Sequence, residues 1–226
     1  MGKVDENKQN KRSSLLSNAY DLFTERGFSK TTISDISKKS GLAKGTFYLY
    51  FKDKYDIRDV LIARKSAQLL EEADHAVRQK SGVEEYILGI VDYLLNYLSE
   101  DKRMMRFIYK NLSWGIFKHA VESTGKEEAD NFEKFKQSFS VAMQKDHYQC
   151  SEPELLLFTI IELVSSTGCS VILYESPCDL KTYLPFLHNS IHLLLEGYRI
   201  PEGQQAAESA AQEKKCKSSG SDRRSA

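Results

Sequence analysis

Along most of the chain apolar residues recur at intervals of three and four, the period of a helix that buries one stripe. From Lys11 to Arg26 the stripe is Leu15, Leu16, Ala19, Leu22 and Phe23, and Gly27 reads as the stop after the last turn. Residues 1–10 are polar and are predicted to fray. A short second helix follows Thr32, with Ile33 and Ile36 as its apolar face. Thr32 and Asp35 resemble a capping box in which aspartate replaces the usual glutamate or glutamine. Gly41 ends this helix and Leu42 turns inward. A third helix, from about Lys44 to Phe51, puts Phe47 and Phe51 four residues apart on its inner side. Asp53 suits the N-cap of a fourth helix, with Asp56 in its first turn. That helix carries Tyr55, Ile57, Val60, Leu61, Leu69 and Leu70 and meets no breaker before Ser81 and Gly82.

The same periodicity predicts further helices over about 83–99, 101–118, 125–148, 152–175 and 180–198. Pro185 marks a displaced start or a bend in the last one. There is no persuasive alternating strand pattern and no internal repeat. The fold class expected is all-α. A flexible N-terminus (1–10) precedes a three-helix head with a helix-turn-helix (11–58), a long helix leads into a helical body (59–200), and the tail (201–226) is predicted to be disordered because its large apolar residues vanish.

Composition adds one thing to this picture. The 226 residues carry 32 Lys and Arg against 32 Asp and Glu, a net charge of zero. Residues 1–60, however, hold 12 basic and 8 acidic residues, and the remainder 20 and 24. A basic head on an acidic body meets the need of phosphate binding, which is positive charge at the contact face. Cys150, Cys169, Cys178 and Cys216 form no CxxC pair and are expected to be reduced thiols. No apolar run is read as a membrane span, and the polar start lacks the apolar stretch of a signal peptide, so a cytoplasmic location without a membrane partner is expected.

A helix-turn-helix places the exposed side of its second helix in the DNA major groove. The segment 32–51 meets that requirement. Gly41 permits the turn, Phe47 and Phe51 anchor the inner side, and Lys44, Thr46, Tyr48 and Tyr50 remain near the outer side. Lys52 and Lys54 follow where the chain would cross phosphates. Lys44 and Thr46 are the best candidates for base readout, since lysine donates to guanine and threonine offers a hydroxyl or a methyl group. For Tyr48 two roles stand open, a packed ring and a hydroxyl that reaches a phosphate.

The stretch FTERGFSKTTISDISKKSGLAKGTFYLYFKDKYDIRDVL, residues 23–61, resembles the signature of the tetracycline-repressor (TetR) family of transcriptional regulators. The ERGF turn, the Thr-Thr-Ile start of the second helix, the SGLAKGTFYLYF core and the FKDKYDI exit carry the likeness. It implies an all-α homodimer with two DNA-reading heads, a ligand-binding body, and double-stranded DNA as partner. Carried over residue by residue, it implies DNA contacts at Ser34, Lys44, Gly45, Thr46, Tyr48 and Tyr50 and a phosphate contact at Lys54. Tyr50 stands where the family often has histidine, and Leu49 where some members place a larger ring.

In the body the resemblance is architectural only. Aromatic residues between Tyr86 and Tyr174 serve either ordinary helix packing or a cavity for a small apolar or aromatic effector. Glu162, within the apolar FTIIELVSS, is expected to be buried with a partner. Trp114, Phe117, Phe139 and Glu162 are the residues expected to approach an effector. The last two helices are expected to form the dimer, through Leu155, Phe158, Ile161, Val164 and Val171 on one and Tyr183, Leu184, Leu187, Ile191, Leu194 and Leu195 on the other, with Ser165, Gly168 and Cys169 allowing close approach. The alternative for these faces is the monomer core. His188 and His192 share a helical face and read as a surface or interface pair rather than a metal site. No motif calls for a cofactor. The rival function is an all-α small-molecule-binding protein or enzyme acting through the body pocket, for which no nucleophile–base pair, metal set or phosphate loop is present in the sequence.

Overall fold

The computed structural model describes residues 3–108 and 126–201, and all of its regular elements are helices. The head comprises α1 (Lys3–Arg26), α2 (Ile33–Lys39), α3 (Lys44–Phe47) and the start of α4 (Lys54–Val77). The body comprises the rest of α4 with α5 (Val83–Glu100), α6 (Lys102–Ile108), α7 (Lys126–Lys145), α8 (Pro153–Tyr174) and α9 (Leu180–Tyr198).

The helix α1 begins at Lys3, not near Lys11. Residues 5–11 are exposed and contribute no buried stripe. Nothing in them breaks a helix, and Asp5 and Glu6 lie in the first turn, where negative charge favours the helix dipole. The segment read as frayed thus prolongs a packed helix.

Two clusters of buried side chains divide the molecule. The head core joins Leu15, Leu16, Ala19, Leu22 and Phe23 of α1 to Ile36, Phe47 and Phe51, and closes on Ile57, Val60 and Leu61 of α4. The body core starts on the same helix at Leu69 and Leu70 and runs through α5, α6, α7, α8 and α9. The change of allegiance falls within α4 between Leu61 and Leu69, a few residues beyond the boundary expected at residue 58.

A second connection joins the two units. Phe107 of α6 packs against both Phe23 (ring centroids 6.0 Å, stacked) and Tyr20 (5.5 Å, edge-on). The Tyr20 hydroxyl donates to the Met104 sulfur at 3.4 Å. The long helix is therefore not the sole bridge from head to body.

In the body, α4 packs on α5 and α7, and α5 contacts α8 and α9. The buried Asp74 carboxylate pins the C-terminal turns of α4: the buried Tyr86 hydroxyl donates to one of its oxygens (2.7 Å) and the exposed Arg78 to the other (2.7 Å). Burial first, then the adjacent Asp74 carboxylate, push the Tyr86 phenol far above its ordinary value. Gly168 lets α8 approach α5 closely: a Cβ there would lie 2.5 Å from Leu95 Cδ2.

The two last helices do not present a single apolar face. Leu187, Ile191 and Leu195, at 0%, 0% and 1% exposure, fill the body core, together with Val164, Cys169 and Val171 of α8. The alternative in which these side chains complete the monomer holds for them. Leu155, Phe158, Phe186 and Leu193 remain exposed on the outer side. By length and composition alone α8 is apolar enough to cross a membrane, but Glu154 and Glu162 interrupt its apolar run and half of the apolar window is buried within the bundle. Pro185 lies inside α9, which starts upstream at Leu180, where the Asp179 carboxylate accepts from Thr182 N–H at 2.8 Å.

His188 and His192 each meet a carboxylate of α5: Nε2 of His188 lies 2.7 Å from Asp92, and Nδ1 of His192 lies 3.1 Å from Glu84. These pairs tie α9 to α5. Among the described residues no three His, Cys, Asp or Glu side chains gather to hold a metal ion.

Candidate nucleic-acid interface

The site is built by two caps and one turn. Thr32 and Asp35 form the reciprocal capping box: the Asp35 N–H donates to Thr32 Oγ1 (3.1 Å), and Thr32 N–H donates to Asp35 Oδ2 (2.9 Å). Hydrogen bonds from the Thr32 hydroxyl and N–H hold the Asp35 carboxyl below the ordinary carboxylate range. At Gly41 the backbone turns with φ +67°, a region that disfavours any side chain, and Leu42 N–H returns to Ser37 O at 2.9 Å. Asp53 accepts from the N–H groups of Tyr55 (2.7 Å) and Asp56 (2.9 Å) at the head of α4.

Between these fixed points sits α3. It is shorter than expected: one α-helical turn ends at Phe47, and residues 48–50 continue as a turn in which Leu49 N–H bonds to Thr46 O and Tyr50 N–H to Phe47 O. The inner side is Phe47 (0% exposed) and Phe51 (2%). Phe51 also receives the Arg12 guanidinium from α1 at 5.5 Å from its ring centre. A full apolar contact for a phenylalanine stabilises by about 1.5–3 kcal/mol, enough to fix the orientation of so short a helix.

Of the residues expected to read DNA, Ser34, Lys44, Gly45 and Tyr48 are exposed and Thr46 is half-buried. Space is open around Gly45, so its backbone stands clear for close approach. The ring of Tyr48 is 51% exposed and meets Phe47 edge-on at 5.6 Å, which leaves its hydroxyl end outward. Tyr50 differs: it is half-buried and packed against the head core.

Lys54 also differs from the simple expectation of a phosphate contact. Its ammonium donates to Phe28 O and Thr31 O, both at 2.9 Å, and lies 4.3 Å from the centre of the Phe28 ring. One of its three N–H groups is left for a phosphate. The residue first of all ties α4 to the loop between α1 and α2.

Sequence reasoning passed over Leu49 as a contact. At 75% exposure it is the most exposed large apolar side chain of the head, next to Tyr48 on the outer side. An apolar group there suits a thymine methyl. Its signal was its place between two tyrosines on a helix whose inner side was already filled by Phe47 and Phe51.

Of the expected effector residues, Phe139 and Glu162 fall within the described residues. Phe139 is buried in the body core, at 4% exposure. Glu162 is only half-buried; the face of α8 that carries it also carries exposed Leu155, Phe158, Thr159 and Ser166. Its apolar neighbours in sequence point elsewhere around the helix, so burial does not follow. Trp114 and Phe117 lie outside the described residues. An apolar cavity of about 40 Å³ does occur in the body, lined by Leu70 of α4, Ile87, Ile90, Val91 and Leu94 of α5, Phe135 of α7 and Leu157, Ile160, Ile161, Val164 and Ser165 of α8. Neither Phe139 nor Glu162 lines it.

A short helix with an outward polar flank, anchored behind by two phenylalanines and entered through a glycine turn, defines a helix-turn-helix reader of the major groove. Residues 15–61 match the model for bacterial regulatory proteins of the tetR family. It is 29% identical over 97 residues to the fatty acid metabolism regulator protein of Bacillus subtilis (strain 168), a match covering 43% of this chain and 50% of that protein. The chain thus spans about half the length of that relative. In three dimensions the likeness extends further. A TetR family transcription regulator from Marinobacter aquaeolei VT8 superposes with a TM-score of 0.55 at 16% identity, over 87% of this chain and 100% of that one. FadR from Bacillus subtilis, a transcriptional regulator solved in complex with stearoyl-CoA, superposes with a TM-score of 0.53 at 18% identity, over 82% and 98%. These likenesses establish the fold of the body.

Proposed function

We propose that the chain is a transcriptional regulator that binds a palindromic DNA site as a homodimer and releases it when a small apolar effector enters the body. The observation that carries this reading is the outward flank of α3, with Lys44, Gly45 and Tyr48 exposed over a buried Phe47. Lys44 and Thr46 read base edges, Ser34 and Tyr48 hold phosphates, and Leu49 covers a thymine methyl. Tyr50 supports the helix from behind, and Lys54 positions the head while its remaining N–H reaches a phosphate. The outer sides of α8 and α9 form the dimer. Action on DNA places the protein in the cytoplasm, and no catalytic step is assigned to it.

The effector site is the apolar cavity between α4, α5, α7 and α8. At about 40 Å³ it is far below the ~300–1,000 Å³ of a small-molecule site, so an effector must part the helices to enter. Leu70 of α4 lines it, and the other end of α4 holds the head. An effector that favours the parted state lowers DNA affinity by its preference between the two states. The apolar lining, and the likeness to a fold solved with stearoyl-CoA, make a long acyl chain the first effector to test.

Gel-shift on DNA upstream of the protein's own gene tests this reading. The wild type is expected to give a discrete complex that a long-chain acyl thioester dissolves. Lys44→Ala with Thr46→Ala is expected to weaken the complex at least tenfold, since each base contact contributes ~1–3 kcal/mol. Full binding by the double variant would refute the choice of reading residues.

A further inference from the structure

We infer that a second ligand site, for a small anion bearing two phosphate groups, lies in the cleft between head and body, apart from both the DNA face and the apolar cavity. The cleft has a volume of about 560 Å³ and is lined by Arg26, Arg58, Arg103 and Arg106, with Phe28 and Phe107 among the rings beside them. Glu25 is the one acidic residue of that lining. Arg58 is neutralised by Asp59 and Arg103 has Asp101 at 4.0 Å, but the four guanidinium groups still outnumber the carboxylates around them and leave positive charge that an anion would neutralise.

The type of cation matters as much as the count. A guanidinium presents its N–H groups as a planar fork that matches two oxygens of a phosphate, which an ammonium does not. All four cations of the cleft are arginines. Arg58 is already oriented, held by Asp59 at 2.6 Å and stacked over Phe28 at 5.0 Å. Arg103 is 71% exposed, and its approach to Asp101, at 4.0 Å, is the weakest ion pair described. Among the described residues Arg26 and Arg106 form no ion pair. The half-buried Phe28 and Phe107 wall the cleft; Phe28 already carries Lys54 at 4.3 Å and Arg58 at 5.0 Å, and Phe107 packs on Tyr20 and Phe23.

The site spans two units. Arg26 and Arg58 belong to the head, on α1 and α4; Arg103 and Arg106 belong to α6 of the body. A diphosphate long enough to meet both pairs clamps the head onto α6 beside the Phe23–Phe107 contact. Such a ligand favours one head position over others, so its presence changes DNA affinity through differential binding to the two states.

The test uses the full chain without DNA, so that it stands or falls separately from the reading of α3. Titration calorimetry with ADP is expected to show saturable binding that weakens as salt is raised. Arg103→Ala with Arg106→Ala is expected to weaken it at least tenfold while the melting temperature of the free protein stays unchanged, because both side chains are exposed. Arg103→Lys with Arg106→Lys keeps the charge and loses the fork, and is expected to fall between the two. Absence of saturable binding to ADP, or equal affinity in wild type and the alanine variant, overturns the proposal.

Discussion

Lys54 shows how a single residue can carry a family position and a structural duty together. Its ammonium serves two main-chain carbonyls of the loop between α1 and α2, 26 and 23 residues away. Removing it takes a donor from both part-buried carbonyls, leaving Phe28 O with Thr31 N–H at 3.3 Å, at about 1–3 kcal/mol. Lys54→Met is therefore expected to lower the stability of the head, read as a reduced denaturation midpoint, as well as DNA affinity. A variant that lost DNA binding with unchanged stability would return Lys54 to a purely phosphate-facing role. The contrast with Asp53 explains what was legible at this scale. Asp53 caps N–H groups two and three positions ahead, and local spacing in the sequence suffices to see it. The acceptors of Lys54 lie on another loop, and no periodicity connects them. Glu162 failed for the opposite reason: its sequence neighbours are apolar, but around a helix the neighbours that decide exposure stand three and four positions away.

At the scale of elements, helix-stop glycines and caps made the head readable almost residue by residue. The second helix starts and ends where Thr32 and Gly41 put it, because the capping box and the positive φ are local chemistry. The length of α3 was not readable, since its last turn tightens into bonds that reach back three residues, which leave the hydrophobic spacing unchanged. The capping box also gives the head a pH dependence. Asp35 titrates below its ordinary value of 3.8 in the folded state, so the unfolded chain takes up its proton first as pH falls. The stability this contributes is present in full above that value and is lost as pH falls through the lower, folded one. Thr32→Ala removes the hydroxyl that accepts from Asp35 N–H and donates to the Asp35 carboxylate, leaves the main-chain N–H bond to Asp35 in place, and is expected to cost about 0.5–2 kcal/mol at pH 7. Its melting temperature is expected to lie below that of the wild type at pH 7, with a narrower gap at pH 3. A gap that does not narrow would show that the carboxylate contributes nothing.

At the scale of the whole molecule, the order of the described helices was legible because long amphipathic segments and their joints recur through the body. The division of labour between core and surface was not. Leu187, Ile191 and Leu195 fill the monomer, and the apolar side chains left outside are fewer: Leu155 at 61% exposure, Phe158 at 41%, Phe186 at 66% and Leu193 at 60%. Periodicity identifies an apolar face but does not say whether its own chain or a second copy covers it. These four residues lie on α8 and α9, and a two-fold axis between the helices would set each against its counterparts on the partner. A glutamate at such a position places charge in a desolvated contact at a cost of several kcal/mol, while in a monomer it meets only water. Leu155→Glu with Leu193→Glu is accordingly expected to leave helix content unchanged and to convert a dimer into a monomer in sedimentation or light scattering. Palindromic DNA binding should weaken in step, because two heads on separate chains no longer share one association event. A double variant that stays dimeric would move the interface to another face of the bundle and leave the outer apolar side chains of α8 and α9 for a different occupant.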